Sequence, residues 1–171
     1  IWSSGHRMSW GSPRRSPCPS SDDVMMRRSD EDLMREALRE AELAREEGEV
    51  PIGAVVVSPD GEIIGRGHNQ TEGLRDVTAH AEMIALTSAQ GHLGAKLLTD
   101  CTLYVTIEPC VMCAGAIRWC RPTRLVWGAD EPKFGFTTVS REILHPRTEV
   151  TSGILADDCR ELMSRFFRER R

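Results

Sequence analysis

The chain lacks any run approaching the roughly 18 apolar residues of a membrane-spanning helix. Its longest apolar stretches, such as Ala54–Val57, have the length of a strand. It also lacks an excess of positive charge. With 22 basic and 26 acidic residues the formal charge is −4, which argues against nucleic-acid binding through bulk charge and leaves only a local basic patch for it. No internal repeat occurs, and 14 glycines and 9 prolines among 171 residues exclude a collagenous or low-complexity chain. What is present is 40% apolar and 28% charged residues, the mixture expected of one compact globular domain at this length.

Residues 1–28 read differently from the rest. They hold seven serines, three prolines, five arginines and only two acids, with no sustained periodicity. A disordered or non-native tail is expected here; the remnant of an organellar transit peptide is the alternative, although Pro13, Pro17 and Pro19 oppose its amphipathic helix. The domain is therefore expected over residues 29–171, where 17 basic and 24 acidic residues give a charge of −7.

From Ser29 onward the signals are regular. Ser29 caps a helix whose first turn, Asp30–Asp32, is acidic and suits the positive end of the helix dipole. Leu33, Ala37, Leu38, Ala41 and Ala44 recur at helical spacing up to Gly48. Ile52–Val57 reads as a buried strand, Pro59-Asp60-Gly61 as a tight turn and Glu62–His68 as the hairpin partner. A loop over Asn69–Val77 leads to a helix over Ala79–Gln90 stopped by Gly91; a strand over Thr102–Ile107 leads to a helix from Pro109 to about Trp119. Arg124–Trp127 reads as a strand, Val150 as part of a short one, and Leu155–Phe167 as an amphipathic helix. Alternating strands and helices predict an α/β fold, and the opening hairpin makes its central sheet mixed.

Six cysteines could form three disulfides, but a core of this size needs none, and two of them stand as Cys-x-x-Cys. That spacing points to a metal or to redox chemistry in a reducing compartment. Cys110 and Cys113 open one helix, where free N–H groups favour thiolates, and His80 with Glu82 opens another. His80, Cys110 and Cys113 supply three ligands, whereas structural zinc sites use four. A three-ligand site keeps a position for water, whose pKa zinc brings near neutrality. Glu82, two residues from His80, is placed to shuttle protons without being a ligand. A fourth ligand from Cys101, Cys120, Cys159, His68 or His92 would make the site structural, and thioredoxin-like redox chemistry would need neither His80 nor Glu82.

The paired pattern is the signature of zinc-dependent nucleobase deaminases. From Ser29 onward the chain closely resembles bacterial tRNA-specific adenosine deaminases of the cytidine-deaminase superfamily, in Glu49–Val57 (EVPIGAVVV), Asp76–Glu82 (DVTAHAE), Thr102–Ala116 (TLYVTIEPCVMCAGA) and Gly153–Arg171 (GILADDCRELMSRFFRERR). The resemblance implies a three-layer fold with a five-stranded mixed sheet flanked by helices. It also implies a cytoplasmic homodimer with one Zn2+ per subunit, which converts adenosine to inosine at the wobble position of a tRNA anticodon stem-loop, an arginine tRNA being the expected partner. An organellar location goes with the transit-peptide reading of residues 1–28.

By the same resemblance His80, Cys110 and Cys113 match the zinc ligands, Glu82 the proton-transfer residue and Asn69 an asparagine that recognises the flipped base. The backbone at Ala81 and the side chains of Ile52 and Val55 match the pocket lining. Without the resemblance, Asn69 reads as an Asx-turn residue, and Ile52 and Val55 read equally as core. After the strand at Arg124 the sequence departs from the family: Glu131 stands where Asp is usual in an Asp-Pro-Lys-like turn with Lys133, and Phe134 and Phe136 replace small residues. Glu131 and Lys133 are expected beside the substrate ribose and backbone. The two phenylalanines either stack on unpaired bases or are buried. Arg165, Phe167, Arg168 and Arg170 are the expected RNA patch, unless they only complement the helix dipole. Trp119 and Trp127 read as core or interface. A zinc deaminase of a free base or nucleoside, of guanine or cytosine type, is the alternative function; a zinc module without activity would need a fourth ligand and make Glu82 dispensable.

Overall fold

In the computed structural model, which describes residues 28–171, regular structure begins at a reciprocal cap. The Ser29 hydroxyl accepts the Asp32 N–H and the Asp32 carboxylate accepts the Ser29 N–H, each at 3.1 Å. This capping box starts α1 (Asp30–Glu46). Apart from Arg28, the expected tail lies outside the described residues, as does Cys18.

Five strands follow: β1 (Gly53–Val57), β2 (Ile63–His68), β3 (Thr102–Ile107), β4 (Arg124–Ala129) and β5 (Glu149–Thr151). They form one sheet in the order β2-β1-β3-β4-β5. β1 runs antiparallel to both neighbours, while β3, β4 and β5 are mutually parallel. The sheet is the expected mixed one. Because β2 and β3 are each antiparallel to β1, they point the same way. The helices that leave them, α2 (Ala81–Leu93) and α3 (Val111–Cys120), therefore start at the same end of the sheet.

Two apolar layers sandwich the strands. Ala54, Val56, Leu103, Val105 and Leu125 pack against Ala81, Ala85, Ala114 and Ile117 of α2 and α3. On the other face Val55, Val57, Tyr104 and Val126 pack against Leu33, Met34 and Ala37 of α1 and Cys159 of α4 (Ala156–Glu169). Val55 thus belongs to the α1/α4 layer, because neighbouring residues of a strand point to opposite faces. Of the two readings the sequence left for it, pocket lining and core, it takes the core one.

Close approach of α2 to the sheet requires glycine. A Cβ on Gly65 would lie 2.4 Å from the Ala85 carbonyl oxygen, and one on Gly67 would lie 2.5 Å from that of Ala81. The helix starts two residues later than its sequence suggested and runs past Gly91, ending on Gly94 in the left-handed region at φ 61°. Gly94, with no Cβ to clash, supplies the αL C-cap, whereas Gly91 is tolerated inside the helix.

At the start of α1, Arg124 donates to both carboxylate oxygens of Asp30 at 2.8 and 2.7 Å, and the Tyr104 hydroxyl donates to the same carboxylate at 2.7 Å. This pairing ties α1 to β3 and β4. Trp127 and Phe136 meet edge to face in the core, 5.7 Å apart, so Phe136 is buried whereas Phe134 is 73% exposed. The burial expected as one alternative for these phenylalanines holds for Phe136 and not for Phe134. Trp127 is core, and Trp119 is exposed. No helix among the described residues is long and apolar enough to cross a membrane.

Candidate active site and metal centre

His80 and Cys110 are the N-cap residues of α2 and α3, both in extended backbone, and neither side chain caps its own helix. Both are thereby free to turn toward a common point. Cys113 follows in the first turn of α3, so Cys110 precedes the helix that the sequence placed it on. His80 Nδ1 lies 3.7 Å from Cys110 Sγ and 3.5 Å from Cys113 Sγ, and the three donor atoms all fall within 4.8 Å of one another. Tetrahedral zinc with Zn–S of about 2.3 Å and Zn–N of about 2.0–2.1 Å sets nitrogen and sulfur about 3.5–3.6 Å apart. The donor set fits zinc. Among the described residues no fourth His, Cys, Asp or Glu joins the group, and Cys101, Cys120 and Cys159 are free thiols buried elsewhere. His68 is engaged at Glu40 and Glu47. A closed structural site therefore lacks its fourth ligand.

The electrostatics suit metal binding. The neighbouring Cys113 thiol and then His80 hold the Cys110 thiol down at about 4, while the proximity of Cys110 and burial push Cys113 up. The Cys110 thiolate in turn raises His80. A bound divalent cation takes both sulfurs as thiolates.

Glu82 is 3% exposed. Burial pushes its carboxyl up to about 7, reinforced by the negative charge on Cys110 and opposed by backbone N–H and His80. A carboxyl poised near neutrality can both accept and return a proton.

Beside these residues is a cavity of about 200 Å³ lined by Val50, Ile52, Asn69, Thr71, His80, Ala81 and Glu82. It is smaller than the roughly 300–1,000 Å³ pockets of drug-sized ligands, a size for one planar ring system. Ile52, Asn69 and Ala81 thus meet Glu82 and His80 around one space, as the sequence suggested; Val55 does not. Val50 and Thr71 also line it and were missed.

Two further carboxylates organise the rim, and the sequence did not assign either a role. Glu49, 2% exposed, accepts hydrogen bonds from Asn69 Nδ2, the Thr71 hydroxyl and the Glu72 and Gly73 N–H groups at 3.3, 3.4, 3.2 and 2.7 Å. Its hold on Nδ2 leaves Oδ1 as the acceptor of Asn69. Glu108, equally buried, accepts from the Glu131 and Thr137 N–H groups, each at 3.0 Å, and from the Thr137 hydroxyl at 2.6 Å. Together with the bridge between Cys110 and Gly135, it fastens the 131–137 loop next to a metal ligand. Glu131 accepts the Lys133 N–H at 2.9 Å, and Lys133 and Phe134 are exposed on this loop. A sequence signal was available for Glu108 alone, a lone acid directly before a proline (Glu108-Pro109), whereas Glu49 follows Glu46 and Glu47 and does not stand out.

The expected RNA patch on the last helix is largely engaged within the protein. Arg165 pairs with Glu42 at 2.7 Å and Arg168 with Glu161 at 2.7 Å. Arg170 donates to the Gly48 carbonyl and stacks on Phe166, 4.2 Å from the ring centre. Phe167 is half exposed.

A family model described as the cytidine and deoxycytidylate deaminase zinc-binding region matches residues 27–129. The chain is 48% identical over 144 residues to the tRNA-specific adenosine deaminase of Streptococcus pyogenes serotype M18, across 81% of this chain and 90% of that relative. A solved structure from studies of A-to-I editing by tRNA:A34 deaminases at the wobble position of transfer RNA superposes with a TM-score of 0.70 at 43% identity, over 76% of this chain and 97% of that one. A guanine deaminase structure from Bacillus subtilis superposes with a TM-score of 0.59 at 38% identity, over 70% and 79% of the two chains.

Proposed function

The chain belongs to the cytidine and deoxycytidylate deaminase family, and on that premise we propose that it hydrolytically deaminates adenosine to inosine at the wobble position of tRNA. The observation that carries this reading is the convergence of His80, Cys110 and Cys113 beside buried Glu82 on a ring-sized cavity, in a chain 48% identical to a tRNA-specific adenosine deaminase. Zinc held by the three ligands supplies an acidified water for attack on an aromatic ring carbon.

The chain's own residues do the rest. Glu82 relays the two protons of the consumed water in turn, accepting and returning the first to adenine N1 and the second to the departing amine, so the net change is one water consumed and one ammonia released. Ile52 forms an apolar wall of the cavity, Asn69 presents its oriented amide and the backbone at Ala81 offers polar groups to the base. Glu131 and Lys133, on the loop fastened by Glu108, face the ribose and backbone of the substrate. A homodimer with one zinc per subunit, an arginine tRNA as substrate and a cytoplasmic location are the finer parts of this reading, supported by the family resemblance. The domain extends over residues 29–171.

The likeness to a guanine deaminase and the aromatic-bearing 131–137 loop favour a second reading, deamination of a free base. One experiment decides. The zinc-loaded protein is incubated with an arginine tRNA anticodon stem-loop and, separately, with adenosine, cytidine and guanine. Inosine formed only in the RNA is expected; product formed only from a free base or nucleoside reverses the order.

A further inference from the structure

At the end of the sheet opposite the metal centre, the chain enters three parallel strands side by side. The segments before β3, β4 and β5 enclose a cleft of about 590 Å³ lined by Thr99, Asp100, Arg121, Pro122, Thr123, His145 and Arg147. Arg118 of α3 donates to the carbonyls of Glu142, Ile143 and Leu144 at 3.0, 3.3 and 2.9 Å, which fixes the segment leading to His145. Among the described residues Arg118, Arg121 and Arg147 form no salt bridge, and Asp100 is the one carboxylate in the lining. Desolvation, and then the positive charge of Arg121, Arg118 and Arg147, hold the His145 ring below its ordinary range.

The remaining polar groups are arranged as donors. His145 Nδ1 accepts the Arg147 N–H at 3.2 Å, so the neutral ring keeps its proton on Nε2. The Thr123 hydroxyl oxygen accepts the Asp100 N–H at 2.9 Å, which leaves its own O–H to donate. Two unpaired guanidiniums, an imidazole donor and hydroxyls around a concave space are complementary to a tetrahedral oxyanion.

We propose that this cleft is a phosphate-binding site. Two sources carry that chemistry: backbone phosphates of an RNA whose reacting base lies in the cavity at Glu82, and the phosphate of a free nucleotide. The RNA source rests on the functional reading above; the phosphate chemistry does not. A chain with net charge −4 needs a local cationic site to hold RNA, and this cleft has guanidinium groups that form no salt bridge with a carboxylate among the described residues.

The test uses the zinc-loaded full chain and the double variant Arg121→Asn/Arg147→Gln. Asparagine suits position 121 because that residue sits at φ 55° as the C-cap of α3. Inorganic phosphate, AMP and the anticodon stem-loop are each titrated while the His145 ring resonances are followed; a saturable shift in the parent chain, lost in the double variant, is expected. In parallel, deamination of the stem-loop is measured across salt concentrations. If RNA is the source, the double variant raises KM about tenfold with kcat within twofold. The slope of log(kcat/KM) against log[salt] then becomes shallower by about 1–2, each phosphate contact contributing roughly 0.7–0.9. If AMP shifts His145 while KM and slope for RNA stay unchanged, the site is a nucleotide site. No shift with any of the three probes overturns the proposal. A parent chain inactive on RNA that still shows the phosphate shift sinks the functional reading and leaves the cleft standing.

Discussion

Where β2 and β3 finish, Glu49 and Glu108 are buried and saturated with donors, and each fixes a piece of the cavity rim. Where β3, β4 and β5 begin, Arg121 and Arg147 line an open cleft with no carboxylate partner among the described residues. The first end is preorganised by compensated charge and acts through position, so its effects should resist salt. The second end holds uncompensated charge and acts through long-range attraction, which salt screens. Reaction and capture are thus separated along about the length of one strand, and this separation can be broken experimentally.

The largest effect is expected at the enclosed end. Glu82→Gln keeps the shape of the side chain and removes its ability to take a proton. Turnover on the stem-loop should fall by at least about 10²–10⁴-fold, while zinc content and salt slope stay those of the parent. Ordinary turnover in this variant would refute the assignment of Glu82 as the proton carrier.

Much of that end was legible in the sequence, because its chemistry sits in two short motifs each attached to a helix start. His80-Ala81-Glu82 and Pro109–Cys113 needed only the parallel direction of β2 and β3 to meet. Val55 stayed open between core and pocket for a physical reason: a strand buried on both faces reads as continuous apolar residues, so its pattern cannot say which ones face the site. The cleft at the other end was not legible. Its lining comes from residues 99–100, 121–123 and 145–147, which only the strand order β3-β4-β5 brings together. Nor could the sequence say which arginines are neutralised. Arg165 and Arg124 find Glu42 and Asp30 at sequence separations of 123 and 94 residues, whereas Arg121 and Arg147 find no such partner among the described residues.

The next effect probes how firmly the rim is held. A Cβ on Gly135 would lie 2.4 Å from Glu108 Cδ and 2.5 Å from the Glu131 carbonyl oxygen, so Gly135→Ala must displace the loop that carries Glu131 and Lys133. Overpacking of this kind costs about 1–3 kcal/mol, a fall in Tm of about 2–4 °C per kcal/mol for a chain of this size. KM for the stem-loop should rise more than kcat falls, since Glu82 is untouched. A thermal scan with steady-state kinetics checks both, and parental Tm and KM together would show that the loop is not clamped.

A smaller effect contrasts a compensated arginine with the uncompensated ones at the same end. The hydrogen bond from Arg124, with help from Tyr104 and against partial burial, holds the Asp30 carboxyl below its usual value of 3.8. A depressed carboxylate pKa stabilises the fold at pH values above the unfolded pKa, and that contribution is lost as pH falls through the folded pKa. Asp30→Asn should therefore lower stability by about 1 kcal/mol at neutral pH, with the gap from the parent closing below about pH 4. Urea midpoints at neutral and acid pH measure it; a gap that stays constant would remove Asp30 from the acid response.

The smallest effect is expected where charge is most conspicuous in the sequence. Arg165 is paired with Glu42, both side chains about 40% exposed, and such surface pairs are worth about 0–1 kcal/mol. Its Nε is buried without a partner, so part of the cost of placing this guanidinium is not recovered, and its removal offsets some of the lost pairing. Arg165→Gln should change Tm by no more than about 2–4 °C and leave the salt slope of RNA deamination at the parental value. The cleft variant Arg121→Asn/Arg147→Gln should show the opposite profile, with Tm retained and the slope made shallower. If the slope instead falls with Arg165→Gln and holds in the cleft variant, capture belongs to the last helix, and an arginine already satisfied by a carboxylate in the folded protein exchanges that partner for a phosphate.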